Sequence, residues 1–141
     1  MKKILVLLAV VSLLIPISVK AQSTLALQEK CVEGAKKFFF EFKDQYRSDS
    51  DLRPDYTCHY NKKLDRCFAH IVVLTFKDGE EEIISQYLYD VFEAGQQSKP
   101  LAFGMFQKFP DRTQTPVCKV GDKTCRSEVE FKALIKPYME E

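Results

Sequence analysis

Five cysteines constrain this chain more than any other feature of its sequence. They occupy positions 31, 58, 67, 118 and 125. In an oxidising compartment such cysteines form disulfides, whereas in a reducing one they more often bind metals or act as reactive thiols. Because the count is odd, at most two internal disulfides can form and one thiol is left over. The compartment therefore decides how the cysteines are interpreted.

The N-terminus predicts export. Met1-Lys2-Lys3 is a short basic start, residues 4–17 form an apolar run, and Val19-Lys20-Ala21 resembles a signal-peptidase site. The run covers 14 residues, whereas a membrane-spanning helix needs about 20. We expect a signal peptide over residues 1–21, cleaved between Ala21 and Gln22. The mature protein is then secreted or periplasmic, with no stable membrane span.

The charge of the mature chain argues against nucleic-acid binding. The full sequence has 21 basic and 20 acidic residues, and loss of the three lysines in residues 1–21 leaves 18 basic residues and a net charge of −2. The chain has no long basic run, and nucleic-acid binding needs a concentrated cationic surface. The remaining residues, 22–141, are long enough for one domain with a substantial core.

The apolar pattern predicts one helix followed by strands. Apolar residues recur at steps of three and four over residues 27–46, which is typical of an amphipathic helix with Cys31 on its inward side. The polar residues 47–55 predict a loop. Residues 56–60 and 67–76 are rich in aromatic and β-branched side chains, which favours strands.

The second half of the chain predicts more strands and a second helix. Asp78-Gly79 favours a tight hairpin turn, so we interpret residues 83–92 as a strand, although their spacing also fits a helix. Residues 102–109 predict a further strand. Ser127 and Glu130 have capping-box spacing, and Pro137 should end the resulting short helix near Lys136.

Together these patterns predict the α+β class. We expect a long N-terminal helix packed on an antiparallel sheet of three to five strands. A small disulfide-bridged hairpin and a short C-terminal helix follow. The bridge comes from Gly121-Asp122, a two-residue turn that sets Cys118 opposite Cys125 at a separation suited to a disulfide.

The segment "YTCHYNKKLDRC", residues 56–67, is the best candidate for a functional site. A hairpin turning at Lys62-Lys63 sets Cys58 opposite Cys67. Cys58 and His59 are neighbours on a strand, so their side chains point to opposite faces and cannot form a nucleophile-base pair. The cysteine and histidine spacing also fits no familiar zinc site.

The same hairpin predicts a polar face. It sets His59 opposite Arg66 and Asp55 opposite His70, an arrangement that could support acid-base chemistry. A half-buried histidine beside an acid is more often structural. We therefore assign no catalytic, cofactor-binding or metal-binding residue, and keep Asp55, His59, Arg66 and His70 as a candidate polar face.

Cys67 has two candidate disulfide partners. Cys58 lies across the predicted hairpin, and Cys31 points from the helix toward the same sheet. The longer loop closed by Cys31 would give more stability, about 4 kcal/mol against about 2 to 3 kcal/mol. Geometry leaves both pairings open.

The amino-acid sequences of several segments resemble those of a known family. "YTCHYNKKLDRCF", "LYDVFE" and the final "SEVEFKALIKPYMEE" resemble a family of small exported bacterial proteins with no known activity. The pattern of that family is YTxHYNxKLxxCF, in which the counterparts of Cys31 and Cys67 are typical and the position of Cys58 is more often polar. The resemblance implies disulfides Cys31 to Cys67 and Cys118 to Cys125, with Cys58 as the free thiol.

These observations favour a non-catalytic binding module for a protein or an envelope component, with no cofactor. Several tyrosines, which suit contact surfaces, support this reading; they are Tyr46, Tyr56, Tyr60, Tyr87 and Tyr89. One alternative is a small hydrolase that uses His59 or His70 with an acid. Another is a redox protein or a disulfide-linked dimer that uses the spare cysteine.

Overall fold

The structure, a computed structural model, describes residues 16–45, 51–93, 99–109 and 113–140, with side chains from residue 24 onward. Most of the predicted signal peptide and all of Tyr46 lie outside these residues. The elements in chain order are α1 (Pro16–Asp44), β1 (Leu52–Asn61), β2 (Arg66–Lys77), β3 (Glu80–Asp90), β4 (Ala102–Lys108), β5 (Thr113–Val120), β6 (Lys123–Thr124) and α2 (Glu128–Met139). The α+β class is confirmed.

The six strands form one antiparallel sheet in which each strand pairs with the next in sequence. The prediction of three to five strands was too low. The bridged hairpin, which the prediction named separately from the sheet, is part of it, since β5 pairs along β4 from residue 113. β1 begins at Leu52, inside the predicted loop. Residues 80–90 form a strand rather than a helix, as predicted from the turn before them.

Helix α1 covers one face of the sheet. Phe39 and Phe42 pack with Ile71, Val73 and Tyr89 in an aromatic and aliphatic cluster. The described side chains of α1 begin at residue 24, and those that pack on the sheet lie between residues 27 and 42. The long N-terminal helix of the prediction is therefore not confirmed over its whole length.

Helix α2 covers the opposite face, where the main core lies. Phe131 and Ile135 project from α2 onto Phe68, Leu88 and Phe106, all of them buried. This face is rich in large apolar side chains because the strands alternate inward and outward positions. Both faces of the central strands are thus covered, which explains the nearly continuous apolar sequence of β2.

The turn between β1 and β2 is longer than the predicted two-residue turn. Tyr60 pairs with Cys67, and Cys58 pairs with Ala69, so Cys58 does not lie opposite Cys67. The side-chain Oδ1 of Asn61 accepts a hydrogen bond from the Leu64 N–H at 3.0 Å, which stabilises the wider turn. The predicted register was wrong by two residues for this reason.

Helix α2 begins as predicted and ends later. The Ser127 hydroxyl accepts the Glu130 N–H at 3.1 Å, and the Glu130 carboxylate accepts the Arg126 N–H at 2.8 Å. The helix then continues past Pro137 to Met139, so the predicted end near Lys136 was wrong. Pro137 removes one donor in the last turn, and the Glu140 N–H still bonds to Lys136 O at 2.9 Å.

Two disulfides connect the layers. Cys31 and Cys67 are bonded with a Cα–Cα distance of 5.3 Å and join α1 to β2. Cys118 and Cys125 are bonded with a Cα–Cα distance of 5.0 Å and join β5 to the segment before α2. Cys58 is the free cysteine.

The two disulfides should contribute unequally to stability. The Cys31–Cys67 bond spans 36 residues and the Cys118–Cys125 bond spans 7. From loop closure we expect C31S/C67S to lower the free energy of unfolding by about 4 kcal/mol and C118S/C125S by about 2 kcal/mol. Urea unfolding followed by circular dichroism measures both, and a larger loss in C118S/C125S would contradict this order.

Candidate functional site

The predicted polar face exists as a face but not as the predicted set of pairs. Strand alternation places Asp55, His59, Arg66 and His70 on the α2 side of the sheet. The observed register sets Asp55 opposite Val72 and His70 opposite Thr57. It also sets His59 opposite Phe68 and Arg66 opposite Asn61. Asp55 is therefore not the partner of His70, and the predicted His59–Arg66 and Asp55–His70 pairs were wrong.

Two members of this face have structural partners. Arg66 forms ion pairs with the buried Asp90 at 2.9 Å and with Glu93 at 3.0 Å. Asp55 accepts a hydrogen bond from the Tyr56 N–H at 2.8 Å. Both groups therefore stabilise local backbone and strand ends, and neither forms a hydrogen bond to a histidine within the described residues.

His70 belongs to a polar chain that runs beneath α2. Its Nε2 lies 3.0 Å from Gln86 Oε1, and Gln86 Nε2 donates to Glu128 Oε1 at 2.8 Å. Lys132 Nζ lies 2.6 Å from the same carboxylate oxygen. Because the Gln86 amide donates to Glu128, its oxygen faces His70 and accepts, so His70 Nε2 carries the proton.

The protonation states in this chain are set by burial and by Lys132. Burial lowers the pKa of His70, more strongly than the Gln86 hydrogen bond raises it. For Glu128, burial acts to raise the pKa, but the hydrogen bonds from Lys132 and Gln86 and the charge of Lys132 outweigh it and lower the pKa. His70 is therefore neutral and Glu128 is a carboxylate near neutral pH, with an amide between them.

A hollow of about 440 Å³ lies beside His70. It is lined by Thr57 and His70 from the sheet and by Lys132, Ile135, Lys136 and Met139 from α2, among others. His59 is excluded from this lining, and its buried Nε2 has no hydrogen-bond partner among the described residues. The two histidines are thus not joined in one acid-base pair, as a hydrolase site would require.

Sequence reasoning missed the role of Asn61, which is 1% exposed. Its Nδ2 donates to Pro137 O at 2.9 Å, with Tyr138 O at 3.3 Å and Glu140 O at 3.4 Å. Asn61 therefore caps the last carbonyls of α2, which have no partner inside the helix. One side chain fixes both the helix end and the β1–β2 turn. The only sequence signal was a polar amide at the end of a strand, which also suits a simple turn.

A larger groove opens around this cap, and we call it the Asn61 groove. Its volume is about 860 Å³. It lies between the β1–β2 turn, the β5–β6 turn and the last two turns of α2. Its lining is Asn61, Lys63, Leu64, Val120, Gly121, Asp122, Lys123, Ala133, Leu134, Lys136, Pro137, Tyr138 and Glu140. Sequence reasoning missed it because its three walls are far apart in the chain.

The Asn61 groove has apolar walls and charged rims. Leu64 is 46% exposed within it, and Leu134 and Tyr138 are half-buried. Lys136 is paired with Glu140 at 3.3 Å. Lys63 and Lys123 form no ion pair with any described residue, and each comes from a different hairpin, Lys63 from the β1–β2 turn and Lys123 from β6.

Cys58 lies on the opposite face from the polar chain, on the side of α1. Its side chain is half-buried, and burial raises the pKa of the thiol. A raised pKa reduces the thiolate fraction on which nucleophilic attack depends. The environment of Cys58 is therefore not that of an activated nucleophile.

Within the described ranges, no three His, Cys, Asp or Glu side chains are placed to hold a metal ion. None of the helices in those ranges combines the length and apolarity needed to cross a membrane. Comparisons with protein-family models, with curated proteins and with solved structures found no match. The function is therefore inferred from the geometry of the chain itself.

Asn61→Asp tests the cap with little change of shape. The aspartate keeps an acceptor for the Leu64 N–H but loses the donor to the α2 carbonyls and buries a charge. We expect a loss of about 2 to 3 kcal/mol in the free energy of unfolding at neutral pH. Part of the loss should disappear in acid, where the protonated carboxyl donates again. Urea unfolding at both pH values measures this, and wild-type stability at neutral pH would contradict the cap.

Burial of His70 predicts a pH dependence of stability. The pKa of His70 is lower in the folded state than in the unfolded state, so the unfolded chain binds more protons as pH falls. Proton binding by the unfolded chain lowers the free energy of unfolding. This loss is absent above the unfolded pKa of about 6.5 and grows below it until the folded pKa is reached. His70→Gln should lose less stability than the wild type between about pH 7.5 and about pH 5. Equal losses in urea unfolding would contradict the assignment.

Proposed function

We propose that this protein is an exported, non-catalytic binding module. Its site is the Asn61 groove, and its occupant is an acidic segment of a partner protein that also carries an apolar side chain. Two disulfides are compatible with an extracellular or periplasmic location. The signal peptide over residues 1–21 and the relation to the family of small exported bacterial proteins stay predictions.

The observation that carries the proposal is the combination of apolar walls with unpaired lysines on two sides. A volume of about 860 Å³ falls within the range of about 300 to 1,000 Å³ that is usual for ligand sites. Leu64, Leu134 and Tyr138 offer apolar contact, and tyrosine is common at protein interfaces. The groove is open to solvent, so an extended segment can lie in it.

The lysines at the rim of the groove favour a negatively charged occupant. Lys63 and Lys123 are free to pair with a carboxylate, whereas Lys136 already has Glu140. Asp122 is the opposing charge on the rim, which leaves two free cations against one acid. A cationic rim on a mature chain of net charge −2 is a local feature, and it favours an acidic partner through electrostatic complementarity.

The walls of the groove are held in place before any partner binds. Asn61 fixes the end of α2 and the β1–β2 turn, and Cys118–Cys125 holds the hairpin that carries Lys123. Rigid walls reduce the entropy lost on binding. Lys63 and Lys123 are exposed, so changing them tests binding without disturbing the core.

Selection from a random peptide library displayed on phage tests this function without knowledge of the natural partner. We expect enriched peptides to place Asp or Glu close to a large apolar residue. Each of these peptides should bind K63E/K123E at least about tenfold more weakly than the wild type, a difference of about 1.4 kcal/mol.

K36E/K37E is the matched control, because it reverses two exposed lysines on α1, away from the groove. It should bind the selected peptides like the wild type. Failure to enrich any peptide, or equal weakening by the two double variants, would refute the groove as the binding site.

A further inference from the structure

Strand β1 is an edge of the sheet. The structure shows which of its residues direct their backbone groups to β2 and which direct them outward. The Phe76 N–H donates to Asp51 O at 2.9 Å. Because bonded and non-bonded positions alternate in an antiparallel ladder, the odd-numbered residues of β1 bond to β2. The even-numbered residues therefore direct their N–H and C=O groups to the open edge. These are Leu52, Pro54, Tyr56, Cys58 and Tyr60.

Two details agree with this alternation of inward and outward backbone groups. Pro54, which has no N–H, falls among the outward positions, where it costs no bond to β2. The Tyr56 N–H, also outward, donates to the Asp55 carboxylate at 2.8 Å rather than to β2. Proline and charged side chains are common means of blocking a sheet edge. The first half of β1 is thus blocked at Pro54, and the exposed Asp55 carboxylate releases the Tyr56 N–H when a partner strand pairs there.

The second half of the β1 edge is open among the described residues. No hydrogen bond outside the ladder is formed there by the outward N–H and C=O groups of Cys58 and Tyr60. An open edge of this kind is completed by another extended strand, which supplies the missing backbone bonds. A segment that binds this edge must therefore be an extended strand.

An apolar stripe of α1 runs beside this edge. The Phe39 ring stacks on the Tyr56 ring of β1 with centroids 4.4 Å apart, so the Phe39 side of the helix faces β1. Leu25 and Val32 precede Phe39 by fourteen and seven residues and lie on the same side of the helix. They are 58% and 54% exposed. A partner strand on β1 would cover them if its own molecule carries an apolar layer on the α1 side.

We propose that the occupant is a second copy of this chain, paired through β1 in antiparallel orientation about a twofold axis at Cys58. In this register Tyr60 lies opposite Tyr56 of the second copy, Thr57 opposite His59, and Asp55 opposite Asn61. No like charges oppose each other over residues 55–61, and Arg53 meets Lys63 of the second copy only beyond Pro54, where the edge is blocked. A twofold interface of this kind is self-complementary and closed.

We place the twofold axis at Cys58 because this residue carries the free thiol. Opposed bonded residues have Cα atoms about 5.5 Å apart, which lies inside the range of about 4.4 to 6.8 Å for a disulfide. Opposed residues also point to the same face, so both thiols lie on the α1 side. Strands are spaced by about 4.8 Å, so helices over the two β1–β2 pairs come within about 10 Å, the usual packing distance.

The Asn61 groove opens toward α2, on the other face of the sheet, and the dimer uses the α1 side and the edge. Loss of dimerisation and loss of peptide binding are therefore separate results. The dimer forms without a covalent bond. A disulfide oxidant can then close it, because two opposed thiols give two protons and two electrons and convert one oxidised glutathione into two reduced glutathiones.

Sedimentation of the exported chain under mildly reducing conditions, with both internal disulfides intact, tests the association. We expect a monomer–dimer equilibrium whose association constant falls at least about tenfold in Val32→Glu, because a charge enters an apolar contact. Val129→Glu is the matched control, since Val129 is 79% exposed on α2, and it should leave the constant unchanged. A wild type that stays monomeric at every concentration, or equal effects of the two variants, would overturn the proposal.

Cross-linking with oxidised glutathione tests the register. The wild type should form a covalent dimer through Cys58, whereas T57C/C58S should do so at least about tenfold more slowly, because residue 57 lies opposite His59 of the second copy and its thiol is not opposed. Thr57 is exposed and Cys58 is half-buried, so random collision predicts the reverse order. Faster cross-linking of T57C/C58S would overturn the twofold axis at Cys58.

Discussion

The Cys31–Cys67 disulfide is the constraint on which the relation between helix and sheet depends. Its two residues are 1% and 0% exposed, and they join α1 to a strand that is covered on both faces. The aromatic cluster of Phe39 and Phe42 holds the later part of α1 by packing alone. Around Cys31 the buried contacts are smaller, with Tyr60 and part of Leu27 and Val91. The covalent bond therefore fixes the helix where apolar packing is least.

The opposite layer depends on a polar contact instead. Asn61 satisfies carbonyls at the end of α2 and one N–H of the β1–β2 turn, so the helix end and the sheet edge move as one unit. Buried amides with several bonds are costly to replace, since each lost bond leaves a desolvated group. The Asn61 groove exists because this contact holds two distant turns and a helix end around a shared space.

The arrangement of side chains supports the binding role that we propose. The His70, Gln86 and Glu128 side chains form a chain of hydrogen bonds that begins under α2 and ends in the Lys132 ion pair. Each group has a partner that fixes its orientation, and an amide separates the imidazole from the carboxylate. Apart from the buried His59 Nε2, the free groups described above lie at the surface: lysines of two hairpins, apolar side chains of α1, and backbone groups of an edge strand. These are the elements of interfaces.

The sequence by itself determined the features that depend on neighbouring residues. Gly121-Asp122 set the β5–β6 turn and the pairing of Lys119 with Thr124, and Ser127 with Glu130 set the start of α2. Strand alternation also placed Cys58 and His59 on opposite faces. In each case the deciding hydrogen bonds lie within a few residues, so local preference is enough.

Only the tertiary structure decided the features that depend on distant contacts. The β1–β2 register differs from the expected one because Asn61 holds a wider turn, and α2 passes Pro137 to an end that the same side chain caps across 76 residues of sequence. The alternation that correctly grouped Asp55, His59, Arg66 and His70 on one face could not say which of them meet. A shift of two residues preserves every face and changes every partner, because side chains alternate with a period of two.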